Sequence, residues 1–166
     1  MTTERAARWG VLLAAATALL VAGCGDDQVA SADRQVDVAS RGAEVMPFDL
    51  EATTHRFEPV DDGLVETVVA DDHDDSEQVE LVRQHLAHEA SRFSQGDYGD
   101  PATIHGDDMP GLAELDAGAA DIRVVYQPVD AGGRITYTSS TPALVDALHR
   151  WGEAQTSDHG AHAEQG

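Results

Sequence analysis

Phe57-Glu58-Pro59-Val60-Asp61 and Tyr126-Gln127-Pro128-Val129-Asp130 are matching stretches that decide the fold predicted for this chain. Each ends a β-prone run and leads through a turn, Asp61-Asp62-Gly63 or Gly132-Gly133, into a second β-prone run. A helical pattern follows each second run. Two ββα units of this kind predict an α+β fold, in which a four-stranded antiparallel sheet carries both helices on one face. Chance similarity between two proline-containing hairpins is the alternative.

Helical periodicity predicts one helix over 77–94 and another from Thr141-Pro142 to about Gln155. Asp75 or Ser76 suits the N-cap of the first helix, and proline is favoured at the first position of a helix. The stripes predicted to face the core are Val79, Val82, Leu86, Ala90 and Phe93 in the first helix and Leu144, Val145, Leu148 and Trp151 in the second. Residues 96–111 hold four glycines and two prolines and are predicted to be irregular.

The N-terminus has the pattern of an export signal. Arg5 and Arg8 precede an apolar run of about 13 residues, which is the length of a signal-peptide core and too short for a transmembrane helix. The run ends in Val21-Ala22-Gly23-Cys24, which resembles the lipobox of bacterial lipoproteins. That resemblance implies cleavage after residue 23 and lipid of the palmitate type on Cys24. The protein is then anchored in the cell membrane on its extracytoplasmic face, periplasmic or outside. An ordinary secreted protein is the alternative.

The rest of the chain divides by composition. Residues 24–44 are small and polar without a sustained period, and we expect a flexible tether from the lipidated cysteine. Residues 45–156 are predicted to form a single α+β domain, and 157–166 a disordered tail. Since Cys24 is the only cysteine, the domain has no intramolecular disulfide and depends on its hydrophobic core.

Charge excludes one class of partner. The formal net charge is −21 at pH 7, and a field of that sign repels nucleic acid and anionic lipid. Cations or a basic protein of the envelope are the favoured partners. An adaptation of the whole proteome to salt would produce the same acidity.

The loop after the first long helix holds the side chains most suited to a metal. Asp97, Asp100, His105, Asp107, Asp108 and Met109 fall in one glycine-rich stretch. Carboxylate and imidazole suit zinc or copper, and a thioether adds a ligand suited to copper. His85 lies on the flank of the preceding helix and is a further candidate. Solvated histidines and a loop merely pinned by His105 and Met109 are the alternatives.

Signatures of catalysis are missing from the chain. There is no Gly-x-Ser-x-Gly, no Gly-x-x-x-x-Gly-Lys and, once Cys24 is lipidated, no cysteine for nucleophilic chemistry. Histidine beside aspartate still permits acid–base chemistry. The sequence therefore favours a binding protein over an enzyme.

From Met46 onward the chain resembles a family of short, exported bacterial proteins without established function. The resemblance is carried by Met46-Pro47-Phe48-Asp49-Leu50, Thr54-His55-x-Phe57, Gly96-Asp97-x-x-Asp100-Pro101-Ala102, Ile104-His105-Gly106, Met109-Pro110-Gly111-Leu112, Leu148-His149-x-Trp151 and Asp158-His159-Gly160. It implies that His55, His105, His149 and His159 are the histidines to test. Some members are labelled aspartate carbamoyltransferase, but this chain is about half the length of such an enzyme and lacks its Ser-x-Arg-Thr phosphate loop.

Three functions follow from these patterns. The first is a non-enzymatic domain that binds copper, zinc or a small ligand through His55, His85, His105, Met109 and His149. The second is an acidic interaction module of the envelope. The third is a small acid–base enzyme using His105 with Asp107 or Asp108. Convergence of His55, His105 and His149 favours the first, scattered exposed histidines the second, and a pocket with His105 bonded to a carboxylate the third.

Overall fold

Two antiparallel hairpins form the centre of the molecule, as the repeated stretches predict. In the computed structural model, which describes residues 24–165, β1 (Thr53–Val60) pairs with β2 (Gly63–Ala70), and β3 (Arg123–Val129) pairs with β4 (Gly132–Thr138). β2 also pairs antiparallel with β4, so the hairpins join through their second strands. Pro59 lies near the end of β1 and Pro128 lies in an edge strand, positions that tolerate the missing N–H.

The second hairpin turns at Asp130 and Ala131 rather than at the predicted glycines. Ala131 has a positive φ of 59°, and Gly132 and Gly133 already belong to β4. A Cβ on Gly132 would come 2.0 Å from the carbonyl oxygen of Val68, so the glycine is needed for close strand pairing rather than for the turn.

Five α-helices are present within residues 24–165. They are α1 (Cys24–Val45), α2 (Ser76–Phe93), α3 (Gly99–His105), α4 (Leu112–Gly118) and α5 (Pro142–His159). Asp75 caps α2 by accepting a hydrogen bond from the Gln78 N–H, and Pro142 opens α5, as predicted. None of these helices combines the length and the apolar character that a membrane crossing requires.

Helices α2 and α5 each pack on the hairpin of the other ββα unit. α2 packs mainly on β3 and β4, whereas α5 packs on β1 and β2, so each ββα unit covers the strands of the other. Both helices lie on the same face, because Phe93 of α2 and Trp151 of α5 each contact the ring of Tyr137 in β4. The α+β class is therefore confirmed, and the core lies between this sheet face and the helices.

The sheet nevertheless has a fifth strand, so the prediction of four antiparallel strands is wrong in detail. β5 (Ala163–Gln165) pairs parallel with residues 55–57 of β1, giving the order β3-β4-β2-β1-β5. Residues 157–166 were predicted as a disordered tail, but α5 continues to His159 and a 3₁₀ turn, Gly160–His162, leads into β5. Ala-Glu-Gln has no apolar alternation, so only the backbone pairing identifies this strand.

The segment predicted as a flexible tether is a helix in the structure. Residues 24–45 form α1, and Val38 in this helix is fully buried. Arg34 and Gln35 bond to the end of α5, and the helix contacts α3 as well. α1 is thus part of the folded domain.

The region 96–111 contains α3 and is not wholly irregular. Pro101 occupies the first turn of this helix, where a missing N–H is tolerated. The predicted signal peptide, 1–23, lies outside the described residues, and lipidation of Cys24 stays a prediction.

Candidate functional site: a histidine-lined cavity

A small cavity lies between the inner face of β1 and β2 and helices α2, α3 and α5. Four histidines line it, namely His55 of β1, His85 of α2, His105 of α3 and His159 of α5, and we call it the histidine cavity. Its volume of about 40 Å³ has room for about three water-sized groups. Both ββα units and the segment between them contribute residues to the wall of this cavity.

The imidazole rings contact one another rather than standing apart. His55 and His159 stack with ring centroids 5.0 Å apart and planes 8° apart. His105 meets His159 edge to face at 5.1 Å. His85 lies edge-on to Phe48 at 5.6 Å. The cavity is therefore bounded by a continuous array of flat rings.

Burial keeps these imidazoles neutral. The pKa of His55 is lowered well below its ordinary value, first by burial and then by the neighbouring His159. Burial is also the main cause that lowers the pKa of His85 and of His159 to about 4. All three rings are uncharged at pH 7, and a neutral imidazole offers one donor and one acceptor nitrogen.

Asp158, in the last turn of α5, orients His105. The carboxylate Oδ2 lies 2.9 Å from His105 Nδ1, and Arg34 donates hydrogen bonds to both oxygens of the same carboxylate. Burial alone would raise the pKa of Asp158, but the bonds from Arg34 and His105 outweigh it and lower the pKa, so the carboxylate is ionised. Burial lowers the pKa of His105 despite the attraction of Asp158. Neutral His105 therefore carries its proton on Nδ1 and keeps Nε2 as an acceptor.

Three carboxyl groups complete the polar wall, those of Glu66, Glu89 and Asp100. Glu66 lies in β2 and accepts a 2.7 Å hydrogen bond from the Tyr137 hydroxyl, yet burial raises its pKa to about 7. The pKa of Glu89 on α2 is also raised to about 7, first by burial and then by Asp100. The protonation of these two carboxyls therefore changes near neutral pH.

Polar atoms without partners lie among the lining residues. Within the described chain, His55 Nδ1, Trp151 Nε1 and Gln155 Oε1 are buried and make no hydrogen bond. Their residues are exposed by 3%, 1% and 6%. A buried polar atom without a partner costs about 1–3 kcal/mol, and native proteins satisfy nearly all such atoms. Of the four buried side-chain atoms without a partner in the described chain, three therefore belong to residues that line this one cavity.

The structure brings together only some of the residues selected from sequence. His55, His85, His105, His159 and Asp100 line the histidine cavity.

His149 and Met109 lie elsewhere. His149 Nε2 donates to the carbonyl oxygens of Val60 and Gly63, at 3.0 and 2.9 Å, and so holds the first hairpin turn. Met109 is buried in the apolar core. The convergence of His55, His105 and His149 that would favour a metal site is therefore absent from the described residues. His159 joins His55 and His105 instead, because α5 extends beyond its predicted end.

The expected aspartate partners of His105 are also corrected. Asp107 and Asp108 are exposed, and Asp97 is exposed and pairs with Arg92. The partner is Asp158, far along the chain but adjacent in space.

A metal fits the described arrangement poorly. Among the described residues no group of three or more histidine, cysteine, aspartate or glutamate side chains is placed to hold a metal ion. The stacking gives a reason, because imidazole lone pairs lie in the ring plane. With the planes of His55 and His159 nearly parallel, their lone pairs run side by side rather than toward one point.

Sequence reasoning missed Glu66, Glu89, Trp151, Gln155 and Asp158. A usable signal was present for the acidic and amide residues, because each is a polar residue at a position where the periodicity demands an apolar one. Glu66 has the same phase in β2 as the buried Leu64 and Val68. Glu89 lies among the buried residues of α2, as Gln155 and Asp158 do in α5.

Comparison with protein-family models, with curated proteins and with solved structures found no match to this chain.

Proposed function

We propose that this protein is an exported, lipid-anchored component of the cell envelope whose domain binds a small polar ligand in the histidine cavity. The observation that carries the proposal is that three residues lining this cavity, His55, Trp151 and Gln155, each carry a buried polar atom without a hydrogen-bond partner. A ligand that supplies a missing hydrogen bond to any of these atoms gains free energy that the atom otherwise forfeits.

Size and chemistry favour a small organic ligand over a metal ion. The space of about 40 Å³ accepts a few heavy atoms. Its wall mixes aromatic faces, which exclude water, with a few polar groups that set orientation, as ligand pockets commonly do. Copper or zinc would require the stacked rings to rotate first.

The envelope location depends on the lipobox resemblance. It agrees with the composition, since a chain of net charge −21 is repelled by nucleic acid. Docking of a basic envelope protein on the acidic exterior is compatible with ligand binding and stays a prediction.

Thermal unfolding of the full chain, solubilised in detergent, tests the proposal. The probes are methylammonium chloride, formamide, sodium formate and zinc chloride. A ligand that binds only the folded state raises the free energy of unfolding by RT ln(1 + [L]/Kd), and the melting temperature rises with it. We expect at least one organic probe to raise it.

The matched variants are Gln155→Leu, inside the cavity, and Gln127→Leu, exposed on β3. Gln155→Leu is expected to raise the melting temperature without ligand, because an unpartnered acceptor is removed, and to abolish the response to the probe. Gln127→Leu should change neither. If all the organic probes leave the melting temperature unchanged, the cavity holds only water and the proposal fails.

Proton-transfer catalysis is a second candidate, favoured by the pair of His105 and Asp158. An ionised carboxylate that fixes the tautomer of a histidine on a cavity wall is an arrangement that general bases use. Its test is hydrolysis of p-nitrophenyl acetate by the full chain and by His105→Gln. Turnover that disappears in the variant supports catalysis, whereas a rate equal to that of the variant contradicts it.

A further inference from the structure

We infer that the ligand of the histidine cavity is a small organic cation of the ammonium type, bound in exchange for a proton held by Glu66 or Glu89. The inference rests on the proposed function, since it names the chemical class of that same ligand.

The first step is the distribution of charge on the wall. Glu66 projects from β2, Glu89 from α2 and Asp100 from α3, so carboxyl groups approach the cavity from three elements. Arg92 reaches the latter two from the surface, with Nη1 3.1 Å from Glu89, and it also pairs with the exposed Asp97. Arg92 is not among the lining residues. The guanidinium therefore neutralises the outer part of this cluster, and within residues 24–165 no cation pairs with Glu66.

The second step is that the imidazoles add no positive charge. The remaining titratable groups that face these carboxyls are His55, His85, His105, His159 and Tyr137. Burial lowers the pKa of every one of these histidines and raises that of Tyr137, so all five are uncharged at pH 7. Protons on Glu66 and Glu89 are then what keeps the buried wall neutral.

The third step is complementarity to N–H donors. Gln155 Oε1 is a buried acceptor that lacks a donor, and His55 Nδ1 is a second one in the tautomer that carries its proton on Nε2. The Trp151 indole N–H is a donor, and an ammonium ion leaves it unpartnered. The rings of Phe48, Phe57 and Phe93 form the apolar part of the wall, and the face of an aromatic ring attracts a cation. An alkylammonium of a few heavy atoms supplies donors, charge and a small apolar end in the space available.

The exchange balances in charge and in atoms. A neutral carboxylic acid in the cavity loses its proton to solvent as the ammonium ion enters, and the product is a carboxylate paired with the cation. One cation enters for each proton released, and the buried wall stays neutral. The acid of a group with pKa about 7 must ionise first, so affinity should rise roughly tenfold between pH 6 and pH 8.

Titration calorimetry on the full chain in detergent tests this inference. Methylammonium chloride, formamide and sodium formate are probes of similar size that differ in charge. We expect methylammonium to bind most tightly, roughly tenfold tighter at pH 8 than at pH 6. Heats measured at pH 7 in two buffers of different ionisation enthalpy should show net release of protons on binding.

Isosteric variants locate the site. Glu66→Gln and Glu89→Gln should each weaken methylammonium binding about tenfold and reduce the proton release. Glu58→Gln, exposed on β1, is the matched control and should bind as the native chain does. Melting curves of both cavity variants establish that they fold.

The outcomes separate the two levels of the proposal. Tighter binding of formamide or formate overturns the cation and leaves the proposed ligand cavity intact. Methylammonium binding that releases no proton and survives both cavity variants also overturns the inference, since the cation then lies elsewhere. If none of the three probes binds, the inference and the proposed function both fail.

Discussion

Glu66 illustrates at the scale of one residue how the cavity is maintained. It lies on the inward face of β2, where a valine or leucine would complete the core, and its only hydrogen bond in the described structure comes from Tyr137. Burial of a charge is far more expensive than burial of a neutral acid, which is why the pKa rises to about 7. Such an arrangement lowers stability and is retained where a site needs the group.

Glu66→Gln should therefore change the pH dependence of stability. The pKa of Glu66 is higher in the folded chain than the ordinary value of 4.5, so the folded state binds the extra proton and the native chain loses stability as the pH rises from 4.5 through 7. The variant lacks this loss. Relative to the native chain it should gain about 3 kcal/mol between pH 4.5 and pH 8.

Urea unfolding at several pH values measures this difference, with Glu58→Gln as the control. Parallel stability curves for the native chain and Glu66→Gln across this pH range would show that the carboxyl is not buried as described.

The residues of the site could be predicted from sequence only in part. Histidines attract attention by their chemistry, and most of the selected ones do line the cavity. Glu66 and Glu89 were overlooked because an acidic residue in a chain of net charge −21 suggests surface, and only its phase in the strand or helix reveals burial. Asp158 could not be assigned to His105 from sequence, because the contact joins elements far apart in the chain.

At the scale of elements, local rules worked where periodicity was strong. Both hairpins, the Asp75 cap and the proline start of α5 follow from residue types alone. α1 was missed for a physical reason. The side of this helix that meets the domain carries Arg34, Gln35, Val38 and Gly42, so much of the contact is polar and leaves little hydrophobic periodicity.

The packing of α1 on the domain leads to a testable prediction about its buried residue Val38. Val38 is fully buried, whereas Val36 is 71% exposed in the same helix. Val38→Ala should lower the free energy of unfolding by about 1–2 kcal/mol, since two buried carbons are removed, while Val36→Ala should change it little. Chemical denaturation of both variants checks this. Equal, negligible effects would mean that residues 24–45 are the loose tether expected from sequence.

At the scale of the whole molecule, the histidine cavity is a product of the crossed packing. β1 and β2 belong to the first unit and α5 to the second, so neither ββα unit alone builds the wall. Arg34 links this wall to α1, and α1 begins at the cysteine on which lipid attachment is predicted. The predicted anchor and the site would then be joined by this 22-residue helix.

The anchor is tested by Cys24→Ser. The native chain should lose residues 1–23 and partition into the detergent phase of Triton X-114, because each buried methylene of an acyl chain adds about 0.8 kcal/mol to membrane affinity. The variant should remain unprocessed or move to the aqueous phase, and Ser31→Ala is the control. Intact mass and phase partitioning are the measurements, and identical behaviour of native and variant chains would reject lipidation.

Imidazole NMR of the full chain with ¹⁵N-labelled histidine tests the cavity most directly, because every proposal made for it requires neutral, buried rings. His55, His85 and His159 should remain unprotonated at pH 6, as their lowered pKa values demand, and His105 should show its proton on Nδ1. Single His→Gln variants assign the signals. If these three rings are largely protonated at pH 6, they lie in solvent and the histidine cavity does not exist as described.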